Sequence, residues 1–409
     1  MFRSFTSRER RNYLLLMLAA ALYFCGLSFT LLLPRYLKDL GASEQALGWL
    51  IGMPLLPFLL FSPLVGLLAD RLAPRWLAGA GIVTVAASTL GMLWVDRIGP
   101  AVYLLRALSG LGHALTFTAL FAAVAMTLSG ANKARGIGYF TVVVQGGNIV
   151  GSFLGGVVLE SLGAMPYFLA SAGITATAVL ACLLINVGTA DVAHTDAAPV
   201  PGNTPGLERG VAASLILVLV LGGAFGMMLQ FLPTYLERLH ELGRSAEPIP
   251  TYYGLTALLA SVAGIRLVFG GWAFRDGNEP LLLGCMVAVP TAVAAMGHVG
   301  SAWAVAMVCI AFGAGYGLLF PAVNGMALSR AAADRQGRVS GMLTALFEVG
   351  FRGFGFVMGP VAEHAGYAGM YTVLALTIAT GFAAFFVIEQ DRRRWLPAIS
   401  GRRVLPAAR

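Results

Sequence analysis

Apolar runs of about twenty residues, divided by short polar turns, follow one another along nearly the whole chain. The first six cover residues 13–33, 46–68, 76–95, 101–128, 136–159 and 167–187. A polar stretch then intervenes, and six more runs cover 211–236, 252–274, 281–299, 303–328, 339–362 and 367–388. A helix of about 20 residues crosses a hydrocarbon core of about 30 Å. The runs do not alternate apolar and polar residues as barrel strands do, and only helices or closed barrels satisfy the backbone in lipid. The pattern therefore predicts an all-α polytopic membrane protein with twelve spans, numbered 1 to 12 below. Span 1 is expected to stop at Pro34.

The stretch 188–210 carries Asp191, Asp196, Glu208 and three prolines with no apolar period, which reads as a linker. The expected organisation is an N-terminal six-helix bundle (1–187), a cytoplasmic linker (188–210), a C-terminal six-helix bundle (211–390) and a basic cytoplasmic tail (391–409). Six spans on each side of a linker is the arrangement of a duplicated transporter.

Composition agrees with a membrane protein. Of 409 residues, 58 % are hydrophobic and 11 % charged, against roughly 25 % charged in soluble domains. The net charge of +8 does not indicate nucleic acid, because the basic residues sit in short loops and tails. Of the 27 Lys and Arg, 19 fall in the termini and even-numbered loops, 5 in odd-numbered loops and 3 inside spans. Both termini are therefore expected in the cytoplasm. Cys25, Cys182, Cys285 and Cys309 all lie inside apolar runs without metal-like spacing, as buried free thiols do. The first run is too long for a signal-peptide core. There is no phosphate-binding loop, no His-x-x-x-His spacing and no paired catalytic carboxylates. Neither an enzyme nor a cofactor or metal is expected.

Charges inside the spans stand out, because one at mid-bilayer costs at least about 2.5–3.5 kcal/mol and needs a cavity or a partner. They are Arg106 in span 4, Arg266 in span 8, and Glu348 and Arg352 in span 11. Glu348 is the only carboxylate near a span centre. A carboxylate that loads and unloads protons is what a proton-coupled carrier needs. Arg352, one turn on and on the same face, would hold it ionised. The pair is either a static ion pair or a site where a proton or substrate competes with Arg352. Arg106 and Arg266 either face a cavity or snorkel to the headgroups. If they face the cavity, the site leans towards an anionic or zwitterionic substrate. His113, Gln145, Asn148, Gln230, Asn324 and Tyr316 are further candidates for substrate contact; each alone also fits an interhelical hydrogen bond or simple packing.

The turn between spans 2 and 3 reads Gly66-Leu67-Leu68-Ala69-Asp70-Arg71-Leu72-Ala73-Pro74-Arg75. It resembles the loop between helices 2 and 3 of the major facilitator superfamily, Gly-x-Leu-Ala-Asp-Arg-x-Gly-Arg-Lys. Gly66, Leu68, Ala69, Asp70 and Arg71 match in place and Arg75 keeps the final basic residue, while Ala73 and Pro74 depart from the pattern. In span 4, Arg106-x-x-Ser109-Gly110-x-Gly112 resembles the family's Arg-x-x-Gln-Gly-x-Gly motif, with Ser109 in the glutamine place. Gly147-x-x-x-Gly151-Ser152-x-x-Gly155-Gly156 and Gly355-x-x-x-Gly359-Pro360 resemble the glycine-rich span-5 pattern best known in antiporters; Ser152 replaces its proline. Three more stretches, Gly41 to Gln45, Gly315 to Asn324 and Phe347 to Gly350, look like the bacterial arabinose-efflux-type and drug-efflux permeases.

The resemblance implies two six-helix bundles that alternate access to a central cavity, and a role in proton coupling for Arg106 beside Glu348 and Arg352. It implies that Asp70 anchors a cytoplasmic gate at the start of span 11. Gly66 shares that turn, and Arg71 and Arg75 tie it to neighbours or to anionic lipid. The expected partners are a small-molecule substrate, protons and membrane lipid, not nucleic acid, with the chain a monomer. Proton-coupled export of a small organic solute is the reading that follows. Proton-coupled uptake of an organic anion or sugar, a lipid flippase and a non-transporting membrane sensor are its alternatives.

Overall fold

The structure, a computed structural model, describes residues 7–69, 72–128, 131–185, 209–273, 279–331 and 335–389. Asp70, Arg71, residues 186–208 of the expected linker region and the basic tail lie outside the described residues. Every regular element described is helical. Among the described residues, ten stretches are long and apolar enough to cross a membrane. One of these, Arg338–Ile388, turns a corner at Gly366 and so supplies spans 11 and 12. Gly366 has φ 67° and ψ 175°, a conformation that other residues avoid. The shorter apolar helix Pro280–Met296 is span 9 and brings the number to twelve.

Large apolar residues cover the outside of the helices. Leu60, Leu180, Leu267, Val268 and Val387 are 64–72 % exposed. Exposure on this scale suits a lipid solvent, in which Leu outside costs nothing. Polar side chains within spans turn back on their own helices. Thr116 Oγ1 donates to Gly112 O at 2.9 Å and Thr175 Oγ1 to Ser171 O at 2.8 Å.

Two expected boundaries move. Pro34 does not end span 1: a 3-10 turn, Phe29–Leu32, leads into a further helix, Leu33–Asp39, with the proline in its first turn. There its missing N–H costs no helical hydrogen bond. Span 7 breaks after Gln230, and a second helix, Leu232–Glu241, takes up part of the expected polar loop, again with a proline near its start.

The chain forms two compact units. The first comprises Met1–Ser43, Leu50–Asp196 and Pro250–Tyr252; the second comprises Glu44–Trp49, Ala197–Ile249 and Tyr253–Arg409. Their internal packing repeats. In the first unit span 1 packs on spans 5 and 6, and span 3 on spans 4 and 6. In the second, span 7 packs on spans 11 and 12, and span 9 on spans 10 and 12.

The glycine-rich patterns sit where backbones meet. A Cβ on Gly147 would lie 2.8 Å from Ala21 O, and one on Gly151 would strike Cys25 of span 1. In the second unit a Cβ on Gly359 would lie 2.7 Å from the Cα of Gly48. Cys182, Cys285 and Cys309 are buried free thiols, and Cys25 is a half-buried one.

Candidate functional site

Span 11 runs as an α-helix over Gln336–Glu348 and changes to a π-turn over Val349–Gly353. Glu348 precedes this turn and Arg352 lies within it. Arg352 Nε donates to Glu348 Oε2 at 2.8 Å, and the two side chains are 13 % and 9 % exposed. The Arg352 guanidinium also lies 5.6 Å from the centre of the Phe351 ring. A π-turn widens the helix and re-aims its carbonyls, and such turns recur at functional sites.

The turn rests on a seam of glycines in span 7. A Cβ on Gly226 would strike the carbonyl of Phe351, one on Gly222 would lie 2.6 Å from Phe347 O, and one on Gly350 would strike Leu219 O. The two backbones are therefore in direct contact. One turn beyond Gly226, Gln230 Nε2 donates to Phe351 O at 2.8 Å and to Gly226 O at 3.2 Å. Gln230 thus fixes the carbonyl of the residue between the charged partners. Gln230→Leu should lower stability by about 1 kcal/mol, the net worth of one such hydrogen bond. Thermal unfolding in detergent reads this, and an unchanged midpoint would show that Gln230 does not hold the turn.

Beside the pair, five rings close a circuit. Phe225 stacks on Tyr316 at 4.4 Å with planes 3° apart, and Tyr316 stacks on Phe320 at 5.5 Å. Phe320 meets Phe347 at 5.1 Å, Phe347 meets Phe351 at 5.6 Å, and Phe351 returns to Phe225 at 5.9 Å. The spacing i, i+4 puts Tyr316 above Phe320 on span 10 and Phe347 above Phe351 on span 11. Arg266, from span 8, donates through Nε to Gly317 O at 3.0 Å and sits 5.9 Å from the Tyr316 ring centre. Asn324 Nδ2 donates to Phe320 O at 2.8 Å, one turn below. Glu348, Arg352, Arg266, Gln230, Tyr316 and Asn324 are thus gathered in the second unit. Sequence alone does not single out Phe225, Phe320, Phe347 or Phe351 as site residues. An i, i+4 spacing marks Phe320 with Tyr316 and Phe347 with Phe351, and Phe225 has no such mark.

The remaining candidates belong to the first unit. Arg106 is buried, and its Nε donates to Leu50 O at 3.0 Å. It lines a small cavity with Ser88, Thr89, Ser109, Tyr167 and Ser171. Two turns along span 4, His113 Nδ1 is 2.8 Å from the Tyr23 hydroxyl, and both side chains are buried. The rings of Phe58 and Phe117 lie 5.6 and 5.5 Å from the imidazole. Asn148 Oδ1 accepts from Ser28 Oγ at 2.6 Å, while Gln145 Nε2 is buried without a partner.

Of the residues expected at the cytoplasmic turn, Gly66 has nothing within 4 Å of where a Cβ would stand. Arg75 Nη1 donates to Ile185 O at 3.2 Å, and its guanidinium lies over Trp76 at 5.3 Å. Among the described residues no three His, Cys, Asp or Glu gather as a metal site would require.

Comparison with known proteins identifies the family. The family model of the Major Facilitator Superfamily matches residues 14–352. Multidrug resistance protein 1 of Bacillus subtilis (strain 168) is 22 % identical over 360 residues, 86 % of this chain and 89 % of that protein. Quinolone resistance protein NorA of Staphylococcus aureus is 29 % identical over 152 residues, which are 37 % of this chain and 39 % of NorA. Among solved structures, a mutant form of the nucleoside transporter NupG superposes with a TM-score of 0.77 at 16 % identity, over 92 % of this chain and 99 % of that one. A bacterial homologue of the human lysosomal transporter Spinster gives 0.73 at 14 % identity, over 98 % of this chain and 100 % of that one. These structural likenesses describe the fold, and the family match covers most of the sequence. The chain belongs to the major facilitator superfamily and is a multi-pass membrane transporter of small molecules, not an enzyme.

Proposed function

We propose that this transporter couples proton entry to the export of a small organic solute by alternating access. The observation that carries the proposal is Glu348, a membrane carboxylate only 9 % exposed and held at 2.8 Å by Arg352 across a π-turn. In this reading the carboxylate alternates between an ion-paired and a protonated form. Protonation neutralises it and frees Arg352, so the occupancy of the site follows the proton. Desolvation makes either state costly without its compensation, which ties a change at this pair to the packing of span 11 on span 7. The names of the relatives, multidrug and quinolone resistance proteins, support export.

In this reading both termini lie in the cytoplasm of a bacterial cell and the chain works as a monomer in the inner membrane. Arg106 would take part in proton coupling beside Glu348 and Arg352, His113 would contact substrate, and the turn from Gly66 to Arg75, with Asp70 and Arg71, would gate the cytoplasmic side. Gln145 and Asn148 would contact substrate from the first unit.

The test is flux in sealed proteoliposomes under an imposed proton gradient, with a panel of organic anions, sugars and cationic drugs. Wild type should drive at least one solute uphill, and Glu348→Gln should lose that flux. Uphill flux retained in Glu348→Gln would make the ion pair structural. The direction of flux relative to the gradient separates export from uptake.

A further inference from the structure

The charges and rings of the second unit carry a statement about cargo chemistry. Away from the helix ends, the charged groups described in the spans of this unit are Arg266, Glu348 and Arg352. Glu348 and Arg352 neutralise each other at 2.8 Å. Arg266 is held by the Gly317 carbonyl and the face of Tyr316, neither of which carries a negative charge. No carboxylate pairs with it among the described residues. Among the described residues of these spans, one positive charge is therefore left over. Arg266 is half-buried; a cation within a span and without a counter-charge is costly, and a bound anion lowers that cost. A guanidinium suits a carboxylate or sulfonate, which it can meet with two parallel hydrogen bonds.

The rings define the rest of the ligand. Tyr316 is 2 % exposed and is the one the guanidinium touches. Phe225, Phe320, Phe347 and Phe351, around it in the circuit, are half-buried. Flat faces and edges at these spacings favour an aromatic partner over an aliphatic one of equal size. They are borne by spans 7, 10 and 11, and Arg266 by span 8, so the surface exists only where the four helices converge. A cationic drug finds no unpaired carboxylate here, since Glu348 is already held.

We infer that this surface selects planar aromatic anions, with Arg266 as the counter-charge and the ring circuit as the stacking face. The inference rests on the transport reading above for the statement that the bound anion is cargo.

Equilibrium binding to the purified full chain in nanodiscs tests it, with 2-naphthoate, 2-naphthylmethylammonium and cyclohexanecarboxylate as probes. Wild type should bind 2-naphthoate at least about ten-fold more tightly than either of the others, as expected for one charge-assisted contact. Arg266→Gln should lose about ten-fold, and Arg266→Lys should fall between. Equal or tighter binding of the ammonium probe overturns the inference. So does equal binding of the alicyclic acid, no measurable binding of any probe, or an unaltered affinity in a folded Arg266→Gln. The comparison of probes on wild type needs no variant to fold. Binding of 2-naphthoate without flux would overturn the transport reading and leave the site. Proton-driven flux of another solute with no preference for 2-naphthoate would do the reverse.

Discussion

Glu348→Leu alone should cost about 3–5 kcal/mol of stability, and adding Arg352→Met should restore most of it without restoring flux. Removing one partner of a buried pair leaves the other as an unpaired charge, and that is the source of the large loss. Both side chains are nearly buried, and the 2.8 Å contact is a direct one, so little water is present to take the place of the missing carboxylate. Apolar residues of similar length in both places remove the uncompensated charge. Such replacements are often neutral or stabilising. The two losses are thus strongly non-additive, as expected of residues in contact. Reversible unfolding in mixed micelles measures the cycle, and flux in vesicles measures function beside it. Additive losses would mean that the pair is not coupled. Full flux in the double variant would mean that neither charge takes part in transport.

Gly226→Ala should destabilise by about 1–3 kcal/mol, the range for forcing a methyl into a packed contact. The new methyl would meet backbone atoms of Phe351, with the Cα only 2.7 Å away, so a side chain cannot swing aside to admit it. Span 11 must move off span 7. That movement also draws Phe351 O away from Gln230 and disturbs the turn that sets Glu348 against Arg352. Gly264, in span 8, is the control, because nothing lies within 4 Å of where its Cβ would stand. Gly264→Ala should be neutral or gain up to about 1 kcal/mol from helix propensity. Thermal midpoints of the two variants decide the matter. If Gly226→Ala melts with wild type, the backbone contact is not a constraint, and the seam carries no part in positioning the pair.

The spans are legible because lipid leaves the backbone a single local solution. Each run must close its own hydrogen bonds, so length and hydropathy suffice to find it, and the twelve runs appear as helices. Glu348 and Arg352 are legible as a pair for a similar reason: i and i+4 share a helix face whatever lies around them. The turn from Gly66 to Arg75 points to the family because its residue order is distinctive, although Asp70 and Arg71 fall outside the described residues. Pro34 misleads because a proline in a first turn and a proline that stops a helix are alike in sequence. Only the path of the chain around it distinguishes them.

The rest depends on partners far away in sequence. The π-turn at Val349–Gly353 lies against the glycine seam of span 7, more than a hundred residues earlier, and no local propensity announces it. Gln230 finds its acceptor at Phe351, and the Tyr23 hydroxyl meets His113, through contacts 121 and 90 residues apart. Phe225, Phe320 and Phe347 are ordinary phenylalanines in apolar helices until three spans bring their rings within 6 Å of a neighbour. The sequence by itself determined a twelve-helix membrane protein with Glu348 and Arg352 on one face of span 11, since those features follow from local period and solvent, and its motifs resembled a transporter family. Which rings surround that pair, what holds its turn, and that Arg266 is left without a carboxylate among the described residues were decided only by tertiary packing, because each is a contact between helices that the chain must first bring together.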